Sequence, residues 1–115
     1  MVLIFKIVSA NDWRVAEAAG LFEGVGIDRA DGYIHFSTAE QVAETAATHF
    51  SGRHDLTLVA VDAEALGEDL RWEPSRGRAI FPHLYGKLPL SAVKWSRPLP
   101  LNAEGRHDFA GLLDE

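Results

Sequence analysis

The chain has 115 residues, 47% of them hydrophobic and 24% charged, with a formal net charge of −6 at pH 7 and no cysteine. This size and composition predict one compact domain over residues 1–115, with a core over about 1–97 and a C-terminal tail over 98–115. The lack of cysteine excludes disulfides, thiolate zinc sites and cysteine catalysis. The acidic balance argues against general nucleic-acid binding, which needs a basic surface.

The N-terminal run VLIFKIV (2–8) predicts a β-strand that is covered on both faces, because apolar and β-branched residues follow one another with only Lys6 among them. No basic segment precedes the run, unlike in a signal peptide. No apolar run approaches the ~20 residues that span a bilayer. We therefore expect a cytoplasmic protein with no membrane partner.

Two main helices are predicted in the first half of the chain. Good helix formers follow several N-cap candidates over about residues 11–20, and a glycine is placed to end that helix. The glycine-rich residues 20–32 predict an irregular connection. The sequence TAEQVAETAATHF predicts the second helix over 38–50, where Thr38 and Gln41 fit a capping box.

Further strands are predicted at LTLVAVD (56–62), LRWEP (70–74) and VKWS (93–96), the last being followed by two prolines. Strands and helices are mixed without a regular βα alternation. This order favours an α+β fold with a mixed or antiparallel sheet over a doubly wound parallel sheet.

The stretch YIHFS carries the first candidate site. In a strand its two apolar residues face the core, which leaves Tyr33, His35 and Ser37 on the opposite face. If Thr38 begins a helix, Ser37 and Thr38 lie at a helix N-terminus, where a phosphate or carboxylate binds readily. The alternatives are that Ser37 or Thr38 only caps the helix and that His35 is a partly buried residue with one backbone hydrogen bond.

Residues 71–86 carry the second candidate site. Six of the eleven basic side chains lie in 71–97, together with a single acid. Arginine suits bidentate phosphate recognition, and an extended FPHLY segment puts a histidine and a tyrosine on one face. The candidate side chains are Arg71, Glu73, Arg76, Arg78, His83 and Tyr85. The alternatives are solvated turn arginines, an ion-pair role for the acid and plain packing for the tyrosine.

No metal site is predicted, because His35, His83 and Glu73 lack the tight spacing of a compact ligand motif. A nucleophile pair of Ser37 with His35 lacks an identifiable third group to orient the histidine.

Three blocks in this order, DGYIHFSTAEQV, LRWEPSRG and FPHLYGKLPLSAV, resemble a small bacterial family called domain of unknown function 952. The likeness runs from the first strand to about residue 97. That family has been grouped with folds similar to ADP-ribosyltransferases, which cleave the nicotinamide–ribose bond of NAD. The resemblance implies that His35 contacts the nicotinamide ribose and that Tyr85 packs on the nicotinamide ring. The order of the acid departs from the group, because Glu73 precedes Tyr85.

Three functions are open at this point. The first is an NAD-utilising enzyme, performing ADP-ribosyl transfer or NAD glycohydrolysis without a metal, in which Arg76 or Arg78 binds the pyrophosphate. Its candidate catalytic residues are His35, Ser37, Glu73, His83 and Tyr85, and its candidate ligand-binding residues are Tyr33, Thr38, Arg71, Arg76 and Arg78. The second is a non-catalytic module that binds a phosphorylated small molecule or peptide. The third is a partner-binding protein with an exposed patch at Phe81, Pro82 and Leu84.

Overall fold

The structure is a computed structural model that describes residues 2–75, 77 and 79–113. Strands and helices follow one another in the order β1 (Leu3–Ser9), α1 (Ala10–Ala19), β2 (Leu21–Phe22), α2 (Ile27–Asp31), β3 (Ile34–His35), β4 (Ser37–Thr38), α3 (Val42–His49), β5 (Leu56–Asp62), β6 (Leu70–Ser75), β7 (Ala79–Leu84), β8 (Leu88–Pro89) and β9 (Val93–Leu99). Short 3-10 segments lie at Ala63–Asp69 and Leu90–Ala92. None of the helices in the described part of the chain is long and apolar enough to cross a membrane.

The strands form a four-stranded sheet in the order β4-β1-β5-β9, a three-stranded sheet in the order β3-β7-β6, and the pair β2-β8. Every pairing among the described strands is antiparallel. The α+β class and the antiparallel arrangement are therefore confirmed.

Strand β1 is covered on both faces, as its sequence predicts. Ile4 and Val8 belong to one buried cluster, and Phe5 and Ile7 belong to another on the opposite face of the sheet. Lys6 shares the face of Ile4 and Val8 and is itself buried. An ammonium group in this position needs a charged partner.

Helix α1 agrees with the prediction to within one residue. The Ser9 hydroxyl accepts a hydrogen bond from the Asp12 amide at 3.0 Å, and Gly20 ends the helix with a φ of 83°. The predicted irregular connection over 20–32 is partly wrong, because it contains β2 and α2.

The predicted helix over 38–50 begins too early, since α3 begins at Val42. Ser37 and Thr38 instead form strand β4 and lie opposite Phe5 and Ile4 of β1. The side chain of Gln41 accepts a hydrogen bond from the Thr38 amide at 3.0 Å, so the Thr38–Gln41 contact holds a turn before the helix.

The predicted strands of the second half are confirmed as β5 at Leu56–Asp62, β6 and β9. Strand β6 pairs with β7, which the sequence suggests only as an extended FPHLY segment. Strand β9 continues through a proline to Leu99, and three apolar residues of the C-terminal segment pack against the cluster around α3: Phe109, Leu112 and Leu113. The expected exposed patch at Phe81, Pro82 and Leu84 is wrong, because Pro82 and Leu84 are buried.

Candidate functional site

The three-stranded sheet brings part of each predicted site together on one face. His35 of β3 lies opposite His83 of β7, and His83 lies opposite Arg71 of β6. Directly opposed residues in neighbouring strands project to the same side. Glu73 comes two residues after Arg71, and Tyr85 comes two residues after His83, so both project to that side as well. Residues that are far apart in the sequence therefore share one surface.

Tyr33 lies at the centre of what we call the ring cluster, which consists of Tyr33, His35, His83 and Tyr85. The centroid of its ring is 4.6 Å from that of His35, 4.2 Å from that of His83 and 5.0 Å from that of Tyr85. The Arg71 guanidinium lies 4.6 Å from the centroid of the Tyr85 ring, within cation–π distance. The cluster is thus an aromatic surface with a cation at its edge.

Glu73 joins two members of the ring cluster. His83 Nδ1 donates a hydrogen bond to Glu73 Oε1 at 2.8 Å, and the Tyr85 hydroxyl donates to the same oxygen at 2.8 Å. The hydrogen bonds from His83 and then Tyr85 lower the pKa of Glu73, although burial opposes them. The carboxyl group is therefore ionised at neutral pH.

Both tyrosines stay protonated near neutrality. The hydrogen bond to Glu73 raises the pKa of Tyr85, with burial and the nearby carboxylate charge adding to the effect. Burial raises the pKa of Tyr33, and the charges of Asp31 and Glu73 raise it further. Each phenol can therefore donate a hydrogen bond.

Asp28 of α2 is hydrogen-bonded to His35, the other histidine of the ring cluster. Its Oδ1 accepts hydrogen bonds from the His35 amide at 3.0 Å and from His35 Nδ1 at 2.7 Å. Lys6 Nζ lies 2.8 Å from Asp28 Oδ2, and the Val25 amide donates to the same oxygen at 3.1 Å. A Cβ at Gly24 would lie 2.8 Å from the Cβ of Asp28, so this turn needs a glycine.

Burial and the contact between Lys6 and Asp28 shift the pKa of each residue in opposite directions. Burial by itself would raise the pKa of Asp28, but the hydrogen bond from His35 and the charge of Lys6 together lower it to about 2. Burial lowers the pKa of Lys6, and Asp28 counteracts that effect. The pair is held as an ion pair in the interior of the domain.

His35 is held from two sides. Its Nδ1 contacts Asp28, and its Nε2 lies 2.9 Å from Asp31 Oδ2. Because an ionised carboxylate only accepts hydrogen bonds, a ring that donates from both nitrogens satisfies both contacts.

Ser37 and Thr38 do not form the predicted anion site. Ser37 is buried, and its hydroxyl lies 2.9 Å from the Thr45 hydroxyl of α3. Both residues belong to strand β4 of the four-stranded sheet, four residues or more before α3 begins at Val42. No helix N-terminus is available there, so the expectation that they bind a ligand in this way is wrong.

Of the predicted arginines, Arg71 lies at the ring cluster, whereas Arg76 and Arg78 lie outside the described residues. The sequence reasoning missed three charged residues at the site: Lys6, Asp28 and Asp31. A lone lysine in a strand covered on both faces was the available signal, because its charge needs a buried partner. Among the described residues, no group of three or more His, Asp or Glu side chains is arranged to hold a metal ion.

Comparison with known proteins gives a family and close structural relatives. The family model described as "Protein of unknown function (DUF952)" matches residues 7–96. The crystal structure of protein CC0527 from Caulobacter crescentus is 51% identical, with a TM-score of 0.92 over 96% of this chain and 97% of that chain. The solution NMR structure of CC0527 is 52% identical, with a TM-score of 0.86 over 96% of this chain and 95% of that chain. No curated protein matches.

Proposed function

The chain belongs to the DUF952 family of proteins of unknown function, and we propose that it binds NAD at the ring cluster and cleaves the nicotinamide–ribose bond beside Glu73. One observation carries this proposal: an ionised carboxylate, Glu73, is hydrogen-bonded to His83 and Tyr85 within a group of four neighbouring rings. The grouping of this family with ADP-ribosyltransferase-like folds supports the choice of ligand.

The ring cluster supplies the kind of surface that a planar base needs. Tyr33, His35 and Tyr85 are half-buried, so part of each ring faces solvent beside the others. Aromatic faces bind planar bases by stacking, and the Arg71 guanidinium over the Tyr85 ring offers a planar donor for a phosphate or carboxamide oxygen. We propose that nicotinamide packs on Tyr85 and that its ribose contacts His35.

The charge of Glu73 suits the bond that would break. When the glycosidic bond cleaves, its electron pair goes to the pyridinium nitrogen, and nicotinamide leaves as a neutral molecule. Positive charge develops on the ribose, and a fixed carboxylate nearby stabilises that charge. Water or an acceptor hydroxyl then adds to the ribose carbon and loses a proton.

The position of the acid in space supports the proposal more than its position in the sequence does. Glu73 comes before Tyr85 in the chain, in the reverse of the order expected from the resemblance. The antiparallel β6–β7 hairpin nevertheless brings Glu73 to 2.8 Å from the Tyr85 hydroxyl. Glu73 Oε1 accepts both hydrogen bonds from the ring cluster, and we propose that Glu73 Oε2 faces the ribose.

The experiment measures NAD binding by calorimetry and nicotinamide release by NMR on the same preparations. We expect the wild-type chain to bind and to release nicotinamide. Glu73→Gln should bind with similar affinity and release nicotinamide about a hundredfold or more slowly, because the amide lacks the charge. Glu17→Gln, on the exposed side of α1, is the matched control and should behave as wild type. A wild-type chain that neither binds NAD nor releases nicotinamide contradicts the proposal.

A second candidate function is the non-catalytic module for a phosphorylated small molecule or peptide. The contact of both His35 ring nitrogens with carboxylates favours it, because binding a ligand by charge does not need either nitrogen as a proton acceptor. His35→Ala separates the two candidates. Turnover should disappear if the protein is an enzyme, whereas affinity for inorganic phosphate or a phosphopeptide should persist if charge alone binds the ligand.

A further inference from the structure

The buried pair of Lys6 and Asp28 lies beneath the ring cluster, and the chemistry proposed above does not use it. Both side chains are buried, and their contact joins the central strand β1 to the short helix α2. A buried ion pair often stabilises a fold no better than apolar side chains of similar volume. The pair is therefore better explained by the residues that its charged atoms hold in position.

Asp28 directs its carboxylate at His35. Oδ1 lies within hydrogen-bond distance of the His35 amide, His35 Nδ1 and Lys6 Nζ, at 3.0, 2.7 and 3.0 Å. The two contacts to one residue fix its backbone and its ring together. Since an ionised carboxylate has no proton to donate, His35 Nδ1 must carry one for the 2.7 Å contact to be a hydrogen bond.

We propose that Asp28 is a positioning residue, which holds the His35 ring with Nδ1 protonated and Nε2 directed at the ligand, while Lys6 compensates the carboxylate charge. This inference rests on the proposed function, in which His35 contacts the ribose. Asp31 holds the other ring nitrogen from a more exposed position, with 37% of its side chain accessible against 1% for Asp28. A ribose hydroxyl therefore replaces Asp31 at Nε2, and the contact with Asp28 remains.

Charged and titratable groups surround the His35 ring from several elements. Asp28 and Asp31 face it from α2, the rings of Tyr33 and His83 touch it, and Lys6 lies behind Asp28. Glu73 and Tyr85 lie one contact further away, through His83 and Tyr33. Among these groups, Asp28 alone is both buried and in contact with Nδ1, so it determines which nitrogen keeps the proton.

The test is nitrogen-15 NMR of the histidine rings in the full chain without nucleotide, with the His35 signals assigned by their loss in His35→Asn. We expect the neutral His35 ring to carry its proton on Nδ1, which contacts Asp28, and not on Nε2. Asp31→Asn should change the Nε2 signal and leave Nδ1 protonated. A wild-type ring that keeps its proton on Nε2 would overturn the inference.

Asp28→Asn gives the second measurement. The amide has one oxygen and a donor group, so the ring should populate the Nε2-protonated tautomer, and the KM for NAD should rise more than tenfold, while kcat changes less. Unchanged His35 signals in a folded Asp28→Asn chain would also overturn the inference. If this variant does not fold, the wild-type and Asp31→Asn spectra decide. If the chain does not bind NAD but His35 Nδ1 carries the proton, the proposed function is contradicted and the positioning role of Asp28 is not.

Discussion

Two carboxylate–histidine units meet at the ring cluster, and they are built with opposite burial. In the first unit, His35 Nδ1 lies 2.7 Å from Asp28, whose side chain is 1% exposed while that of His35 is 24% exposed. In the second unit, His83 Nδ1 lies 2.8 Å from Glu73, but here the histidine is 3% exposed and the carboxylate 32%. The same hydrogen bond thus connects a buried acid to an accessible ring and a buried ring to an accessible acid.

The buried and the accessible residue of each unit have separate roles. The buried member has its position fixed by packing and by further hydrogen bonds, as Asp28 has from Lys6 and Val25. The accessible member can contact a ligand, as His35 and Glu73 can. A site that contains both units presents the His35 ring and the Glu73 carboxylate to a ligand, and each is hydrogen-bonded to a buried partner.

The largest effect should come from removing the buried acid. Asp28→Ala leaves the Lys6 ammonium buried without its partner, and we expect the free energy of unfolding in urea to fall by about 3–5 kcal/mol. The double variant Lys6→Met, Asp28→Ala should lose less, because no unpaired charge remains. The accessible acid provides the contrast, since Glu73→Ala leaves no buried ammonium unpaired and should lose less stability than Asp28→Ala. Equal losses for Asp28→Ala and Glu73→Ala would break the comparison.

The second effect concerns the buried histidine. His83→Ala removes a buried ring between Tyr33 and Glu73 and should cost about 2 kcal/mol in unfolding free energy. His35→Ala should cost less, because more of its ring is exposed, yet it should weaken NAD binding. Thermal unfolding and calorimetry on both variants measure the two effects. A His35 variant less stable than the His83 variant would contradict the assignment.

Acid titration gives a smaller effect with a defined sign. Asp28 has a folded-state pKa of about 2, against an ordinary value of 3.8, so the folded chain favours the ionised form. Its contribution to stability is fully present above pH 3.8 and is lost as the pH falls through about 2. Urea unfolding over this interval should show the loss in the wild-type chain. In Asp28→Asn this part of the pH dependence should be absent.

The smallest effect should follow from Tyr85→Phe, which keeps the ring and removes one hydrogen bond to Glu73. We expect the pKa of Glu73 to rise partway toward its ordinary value, while His83 still holds it below. Carbon-13 NMR titration of the Glu73 carboxyl group measures this shift. Tyr33→Phe is the control, because it retains its ring in the stack. A Glu73 titration that is the same in wild type and Tyr85→Phe would show that this hydrogen bond has no influence.

The sequence by itself determined the elements whose signals are local. Alternation and apolar runs placed β1, β5 and β6, and several N-cap candidates with a terminal glycine placed α1. The same alternation selected Tyr33 and His35 on one strand face, and Glu73, His83 and Tyr85 nearby on others. These are properties of neighbouring residues, so no knowledge of the folded chain was needed.

Only the tertiary structure decided which of these residues meet and what supports them. Ser37 and Thr38 have helix-start chemistry, but their pairing with β1 puts them in a sheet. Lys6 and Asp28 lie 22 positions apart, and their contact depends on α2 packing beneath the ring cluster. The local pattern shows that Lys6 needs a charged partner, but which carboxylate becomes that partner is decided only when the chain folds around the charge.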